Sequence, residues 1–196
     1  MPADLIFYTN PQSRGQTVRW MVEEIGAPYE TVLLEYGTTM KSAEYLAINP
    51  MGKVPALAHK GTVVTEAPAI CAYLAEAFPD AGLKPDSDGL ADYFRWLFFA
   101  AGPIEAAFSN QAAGFVPPED KRATFGYGTF ELAIETLEGA VTGKRFIAGH
   151  SFSAADVYVG SMINFLRDCQ DFRVWAGIMG KKETHYVPTQ GAVDSG

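Results

Sequence analysis

Asn49-Pro50-Met51-Gly52-Lys53-Val54-Pro55-Ala56-Leu57, followed by Ala58 to Ala69-Ile70, is the stretch on which the reading of this chain turns. Pro55 cannot donate to a β ladder, so it belongs at the opening of a strand. Val54–Ala58 and Thr62–Thr65 flank His59-Lys60-Gly61, which is hairpin spacing. Thr65-Glu66-Ala67-Pro68 then reads as a helix start, with Ala69, Ile70, Tyr73, Leu74 and Ala77 forming one face that stops before Pro79. A turn, an antiparallel pair and a helix therefore follow one another without a spare residue.

Upstream, Leu5-Ile6-Phe7-Tyr8 is a short apolar run ending in the loop residues Asn10, Pro11 and Ser13, as a buried strand would. Val18, Met21, Val22 and Ile25 fall at helical spacing and end at Gly26, with Pro28 beyond. Tyr29–Leu34 is a second strand, and Ser42–Ala47 a short helix closed by Asn49-Pro50. The order is β-α-β-α-β-β-α. The first strand pair, joined through a helix, should be parallel and the last antiparallel, with helices covering the sheet.

Downstream the strand signals disappear. Leu90, Phe94, Leu97, Phe98 and Ala101 make a helix that Gly102-Pro103 should bend rather than end. Pro117-Pro118-Glu119-Asp120 has the form of a helix start, and Phe130, Ala133, Ile134, Leu137 and Val141 carry that helix to Gly143. Phe152-Ser153-Ala154-Ala155-Asp156-Val157 is a capping box. Ser153 should cap the amide three residues on and Asp156 return the bond, with Phe152 and Val157 as the staple. The reading is an α/β domain over 1–80, a linker over 81–87 and an all-helical bundle over 88–196. From Lys181 no helical stripe continues, and an irregular C-terminus is expected.

Composition narrows the function. Of 196 residues, 48% are apolar and 13% aromatic, enough for a real core, and the net charge is −8. Residues 1–80 carry 5 basic and 9 acidic groups, so neither half offers the basic face that nucleic acid or an anionic membrane requires. No apolar run approaches the roughly 18 residues of a membrane span, and Met1–Tyr8 lacks a basic region before its apolar run, so no secretory signal is read there. Cys71 and Cys169 lie far apart, as do His59, His150 and His185, so no metal site and a reducing cytoplasm are expected.

Chemistry can sit in four places. Thr9-Asn10-Pro11-Gln12-Ser13-Arg14-Gly15 precedes a helix, so open amides face whatever binds there; an ordinary βα turn capped by Ser13 reads equally well. A cis Val54–Pro55 bond would leave the Val54 backbone open to an extended peptide-like ligand, although trans is much the commoner state. Glu66 either holds a ligand ammonium or simply caps its helix. Tyr93, Phe94, Trp96, Phe98, Phe99 and Phe108 occupy both sides of a helix. One side must therefore meet the first domain, a partner subunit or an apolar ligand.

Together these features resemble the cytosolic glutathione S-transferase family, with a loop of the bacterial, theta/beta/nu-like kind, over roughly residues 4–180. The matching parts are Phe7-Tyr8 with the Pro/Ser loop, the Asn49–Pro55 motif, Thr65–Ile70 and the capping box. The resemblance implies a thioredoxin-like domain followed by a helical one, a cis Pro55, and a homodimer. It implies that Val54 pairs with the cysteinyl part of glutathione, Glu66 with the γ-glutamyl ammonium, and the Ala67 amide with its carboxylate. Lys41 and Lys53 would lie near the glycyl carboxylate, so that Arg14, Lys41 and Lys53 gather around an anionic tripeptide. Phe98, Phe99, Gly102 and Phe108 would line the pocket for a small hydrophobic electrophile.

The chain departs from the family at telling points. Serine-type members place the catalytic Ser four residues before the Arg that opens the first helix, and here that position is Asn10. Ser13 is then the first candidate to meet the thiol, with Asn10 and Thr9 beside it and Tyr8 behind them. The hydroxyl residue after the acid is Ala67. A further helix under the first domain is usual, and Lys181–Gly196 does not read as one, so a truncated or altered terminus is expected. The leading function is activation of the glutathione thiol for transfer to an electrophile. The alternatives are glutathione-dependent disulfide or peroxide reduction, or a binding protein that keeps the fold without catalysis.

Overall fold

The computed structural model describes residues 4–169; the expectations for Lys181–Gly196 and for His185 lie outside them. The chain opens with β1 (Leu5–Thr9), α1 (Gly15–Ile25), β2 (Glu30–Leu33), α2 (Ala43–Leu46), β3 (Ala56–His59), β4 (Thr62–Thr65) and α3 (Ala67–Ala77). The sheet runs β2-β1-β3-β4. β1 and β2 are parallel, with Phe7 opposite Thr31; β1 and β3 are antiparallel, as are β3 and β4. The mixed sheet and its helices form a thioredoxin-like domain.

Alternation along β1 sorts its side chains between two cores. Leu5 and Phe7 join Val18, Met21, Val22, Leu57, Ile70 and Leu74 under α1 and α3. Tyr8 faces the other way, onto Leu34, Met40, Tyr45 and Ala56 beside α2. β3 begins one residue after Pro55, because proline has no N–H to lend the ladder. Its hairpin closes through Lys60 and Gly61, both at positive φ, which matches the twist of a two-residue turn.

The helical domain follows: α4 (Leu90–Phe99), a π-helical turn (Ala100–Ile104), α5 (Glu105–Ala112), α6 (Phe130–Val141) and α7 (Ala154–Cys169). Gly102-Pro103 does not end the helix; the chain continues through the π turn into α5. One expectation is corrected here. Pro117–Asp120 opens only a short 3-10 turn over Glu119–Thr124, and α6 starts afresh at Phe130. Gly128 turns into the left-handed region, and the Thr129 hydroxyl then accepts the Leu132 N–H at 3.1 Å, so the helix has its own cap.

α7 is the central pillar. Ala154, Ala155, Val157, Val159, Met162, Ile163 and Leu166 are buried, and the helix packs on α1, α3 and α4. Its capping box differs in detail from the expected one. The Asp156 carboxylate accepts the Ser153 N–H at 2.9 Å, the Ser153 hydroxyl at 2.8 Å and the Ile147 N–H at 2.8 Å. Ser153 thus donates to the carboxylate, the strongest acceptor nearby, while the Asp156 N–H bonds the Ser153 carbonyl at 3.0 Å. Phe152 sets its ring against Trp20 of α1 and Phe146.

His59 at the end of β3 is buried, stacked on Phe78, with Nδ1 2.9 Å from the Tyr73 hydroxyl. Burial lowers its pKa, helped by Lys60, with Asp4 opposing. The unfolded chain then takes up this proton first as pH falls. Stability is intact above about pH 6.5 and is lost as the pH drops from there through the lower folded value. Urea melts at about pH 7 and about pH 5 should show this loss, and His59→Phe should shrink it.

Candidate functional site around the first loop

The β1–α1 loop is built from its own polar groups. The Asn10 amide donates to the Leu34 carbonyl at 2.8 Å, and its oxygen accepts the Gln12 N–H at 2.9 Å. Asn10 thus pins the loop to the residue beyond β2. The Ser13 hydroxyl donates to the Asn10 carbonyl at 2.6 Å and accepts the Gly15 N–H at 2.9 Å. Ser13 is half-buried two residues before α1. The amides expected to be open there are already taken within the loop, Gly15 by the Ser13 hydroxyl, Gln16 by the Ser13 carbonyl and Thr17 by the Arg14 carbonyl. What the helix end offers an anion is therefore its dipole. Thr9 is buried at the end of β1, 3.5 Å from the Asn10 carbonyl. Gly15 is required by this crowding, since a Cβ there would fall 2.0 Å from Thr9 Oγ1 and 2.9 Å from Ser13 Oγ. Tyr8 packs its ring 5.7 Å from Tyr45, on the side of the sheet toward α2.

Two further backbones face outward beside this loop. The Val54–Pro55 bond is cis, and neither the N–H nor the C=O of Val54 is hydrogen-bonded among the described residues. The preceding Lys53 carbonyl is held by the Tyr45 hydroxyl at 2.6 Å and the Asn49 amide at 2.8 Å, which fixes the entry to β3. Glu66 stands at φ 67 and ψ 118, a conformation uncommon for any residue with a Cβ. Its exposed carboxylate does not cap α3 and has no ion pair among the described residues; the first backbone bond of the helix is Ile70 N–H to the Glu66 carbonyl. The start of α3, an unpaired acid and an open strand entry thus lie at the end of the sheet where Tyr8, Ala56 and Thr65 pair, beside the first loop.

The predicted cations do not all face this space. Lys41 Nζ donates to the Met51 and Gly52 carbonyls at 3.1 and 3.0 Å, tying the α2 region to the β3 entry. Arg14 turns to the helical domain and pairs with Glu105. Lys53 alone of the three keeps an exposed side chain with no partner among the described residues. The predicted aromatic wall also divides. Tyr93 and Trp96 are core, whereas Phe98 is 72% exposed and packs on Phe94. Phe99 meets Trp96 edge-on, Gly102 is exposed, and Phe108 packs on Phe165 at 5.0 Å. Of the four, Phe108 is the one drawn toward the first loop, through Arg14.

Residues 3–76 match the family model for the glutathione S-transferase N-terminal domain. A curated Escherichia coli protein, glutathione S-transferase GstA, is 30% identical over 125 residues, covering 62% of this chain and 61% of that one. Among solved structures, a glutathione transferase homologue from Sulfitobacter with bound glutathione superposes with TM-score 0.66 at 27% identity. It covers 84% of this chain and 83% of its own. Residues 3–76 are thus a glutathione S-transferase N-terminal domain, and the chain is similar to glutathione S-transferases over most of its length. A sphingomonad glutathione S-transferase complexed with glutathione gives TM-score 0.65 at 28% identity, over 82% of this chain and 81% of that one. The probable elongation factor 1-gamma 1 of Arabidopsis thaliana is also similar, 28% identical over 79% of this chain and 36% of its own length. The chain thus spans less than two thirds of these curated relatives.

The thiol of Cys71 is not available for chemistry. Cys71 is fully enclosed in the core, which pushes its pKa up to about 12. Sequence reasoning missed Glu105 and Phe165, the residues that receive Arg14. Nothing in their spacing points to it, since their meeting with Arg14 depends on how the helical domain docks. A cavity of about 270 Å³ beside Lys144, Arg145, Phe146, Gly149 and His150 lies in the α6–α7 connection, and none of the predicted site residues lines it. Among the described residues no helix is long and apolar enough to cross a membrane.

Proposed function

We propose that this chain binds glutathione along the Val54, Glu66 and Ala67 edge and activates its thiol for attack on a small apolar electrophile. The observation that carries the reading is the unpaired Val54 backbone at the entry to β3, facing the same end of the sheet as the open α3 terminus. Val54 offers one donor and one acceptor to an extended peptide, Glu66 offers an anion for its ammonium, and the Ala67 amide suits its carboxylate. Lys53 is the available cation for the far carboxylate.

A free thiol titrates near 8.5, so only a few per cent is thiolate at neutral pH. Lowering that value by about two units requires about 2.7 kcal/mol of preference for the anion. One hydrogen bond to a charged sulfur, at about 1.5–3 kcal/mol, with the dipole of α1 behind it, is of that size. The Ser13 hydroxyl can supply it by turning its proton from the Asn10 carbonyl to the sulfur while still accepting the Gly15 N–H. Transfer then follows from thiolate supply and proximity. Calorimetric titration with glutathione, followed by thiolate absorbance, tests this; absence of binding ends the reading.

A binding role without turnover is the second reading, favoured by the internal use of the Ser13 proton and both ends of the Asn10 amide. Disulfide or peroxide reduction would need two glutathione molecules, because the loop has no cysteine. For the exposed Phe94 and Phe98 we take a second copy of the chain as the occupant, and the cytoplasm as the compartment. Sedimentation at micromolar concentration should show a dimer that Phe98→Glu converts to a monomer; a monomeric parent would remove the second copy.

A further inference from the structure

We propose that Glu105 is a positioning residue for thiol activation, acting through Arg14 on the first turn of α1. The inference rests on the function proposed above and adds a residue of the helical domain to it. Arg14 Nη2 donates to both oxygens of Glu105, at 3.0 and 2.9 Å. Its guanidinium lies 3.7 Å from the centre of the Phe165 ring and 5.9 Å from that of Phe108. The side chain is therefore held by charge on α5 and by ring faces on α5 and α7. Arg14 stands between Ser13 and Gly15, the two residues joined by the hydroxyl bond that orients Ser13. Anchoring the guanidinium on the helical domain restrains the backbone between Ser13 and Gly15.

The placement of Glu105 has its own cause in the chain. Pro103 has no N–H, so the ordinary helical bond at that position cannot form, and the helix takes an extra residue over Ala100–Ile104. The Glu105 N–H closes this turn on the Ala100 carbonyl, five residues back. One inserted residue rotates everything beyond it by about 100° around the helix axis. Without the insertion the side chain at 105 would leave the face it now shares with Arg14. The same turn sets Ile104 and Ala107 into the core while it leaves Glu105 partly exposed toward Arg14.

The titratable group that faces the pair is the buried Tyr158 from α7, whose hydroxyl stays protonated. Burial raises the Tyr158 pKa first and Glu105 adds to it, with Cys71 and Glu66 of the α3 region contributing and Arg14 opposing.

The test uses the full chain, glutathione and chlorodinitrobenzene as the electrophile. Glu105→Gln should raise the apparent thiol pKa in the pH profile of kcat/KM by about one unit, a roughly tenfold loss at neutral pH. Glu105→Asp, which keeps the charge, should recover most of it. Backbone amide exchange over residues 9–17 should quicken in Glu105→Gln while the sheet stays protected. An unmoved pH profile in a folded Glu105→Gln overturns the proposal, as does a downward shift, which would mean that Glu105 only damps the field of Arg14. If Glu105→Gln does not fold, a profile of Glu105→Asp displaced as far as tenfold, with unchanged exchange, overturns it as well. Failure of the parent chain to bind glutathione removes both the proposed function and this inference; binding with an unmoved profile removes the inference alone.

Discussion

Asp156→Ala is expected to lower the unfolding free energy by about 3–5 kcal/mol, as much as emptying a large core position of the helical domain. The carboxylate gathers three donors, the Ile147 N–H, the Ser153 N–H and the Ser153 hydroxyl. Truncation leaves all three without an acceptor beside the buried start of α7, and each unsatisfied group costs about 1–3 kcal/mol. The melting temperature should fall by roughly 10 °C, at about 2–4 °C per kcal/mol for a chain of this size. Ser153→Ala removes only the hydroxyl bond and should cost about 1 kcal/mol. Equal losses for the two variants would show that the cap, and not the carboxylate, carries the energy. Asp156 is itself under tension. Burial raises its pKa while its hydrogen bonds to Ile147 and Ser153 pull it down. Its folded value lies above the unfolded one, so this group's own titration favours the fold at acid pH and loses that contribution as pH rises through the folded pKa. The hydrogen bonds, not the charge as such, are what Asp156 supplies.

Ser13→Ala is expected to cost about a hundredfold in kcat/KM for glutathione transfer at neutral pH. The figure is the thiolate argument read backwards: about 2.7 kcal/mol of anion preference corresponds to about two decades of rate. The apparent thiol pKa should rise toward 8.5, and activity at high pH should approach the parent's, because a thiol that is already ionised needs no donor. Asn10→Ala separates the roles. Asn10 holds the loop to Leu34 and Gln12, so its loss should weaken glutathione binding and stability with little change in the pH profile. Thr9 is buried behind the loop, and Thr9→Ala should change little. A pH profile displaced by Asn10→Ala and unmoved by Ser13→Ala would transfer the thiol contact to the amide. Parent levels of turnover in all three would leave the binding role as the better reading.

Local pattern decided much of this molecule. Pro55, the Lys60-Gly61 turn and the apolar face ending before Pro79 are short-range signals, and each maps to β3, the hairpin or α3 within a residue or two. The same holds for Ser153 and Asp156, three residues apart in one capping box. The break before α6 was less legible, because Pro117–Asp120 carries every local sign of a helix start. Only the left-handed Gly128 and the hydroxyl of Thr129 move the true start to Phe130.

The amino-acid sequence by itself determined the order of strands and helices in the first domain and singled out the loop now proposed to meet a thiol, because strand and helix periods are properties of neighbours. The division of the aromatics was decided elsewhere. Tyr93 and Phe98 look alike in the chain, yet one is enclosed and the other is 72% exposed, since burial depends on which face of α4 the other helices cover. The three cations expected around one tripeptide are likewise parted by docking. Arg14 lies 91 residues from Glu105, and only the packing of the helical domain, with a π turn to aim the carboxylate, brings them to 2.9 Å. Contacts over such separations follow from tertiary geometry, which no window of sequence contains.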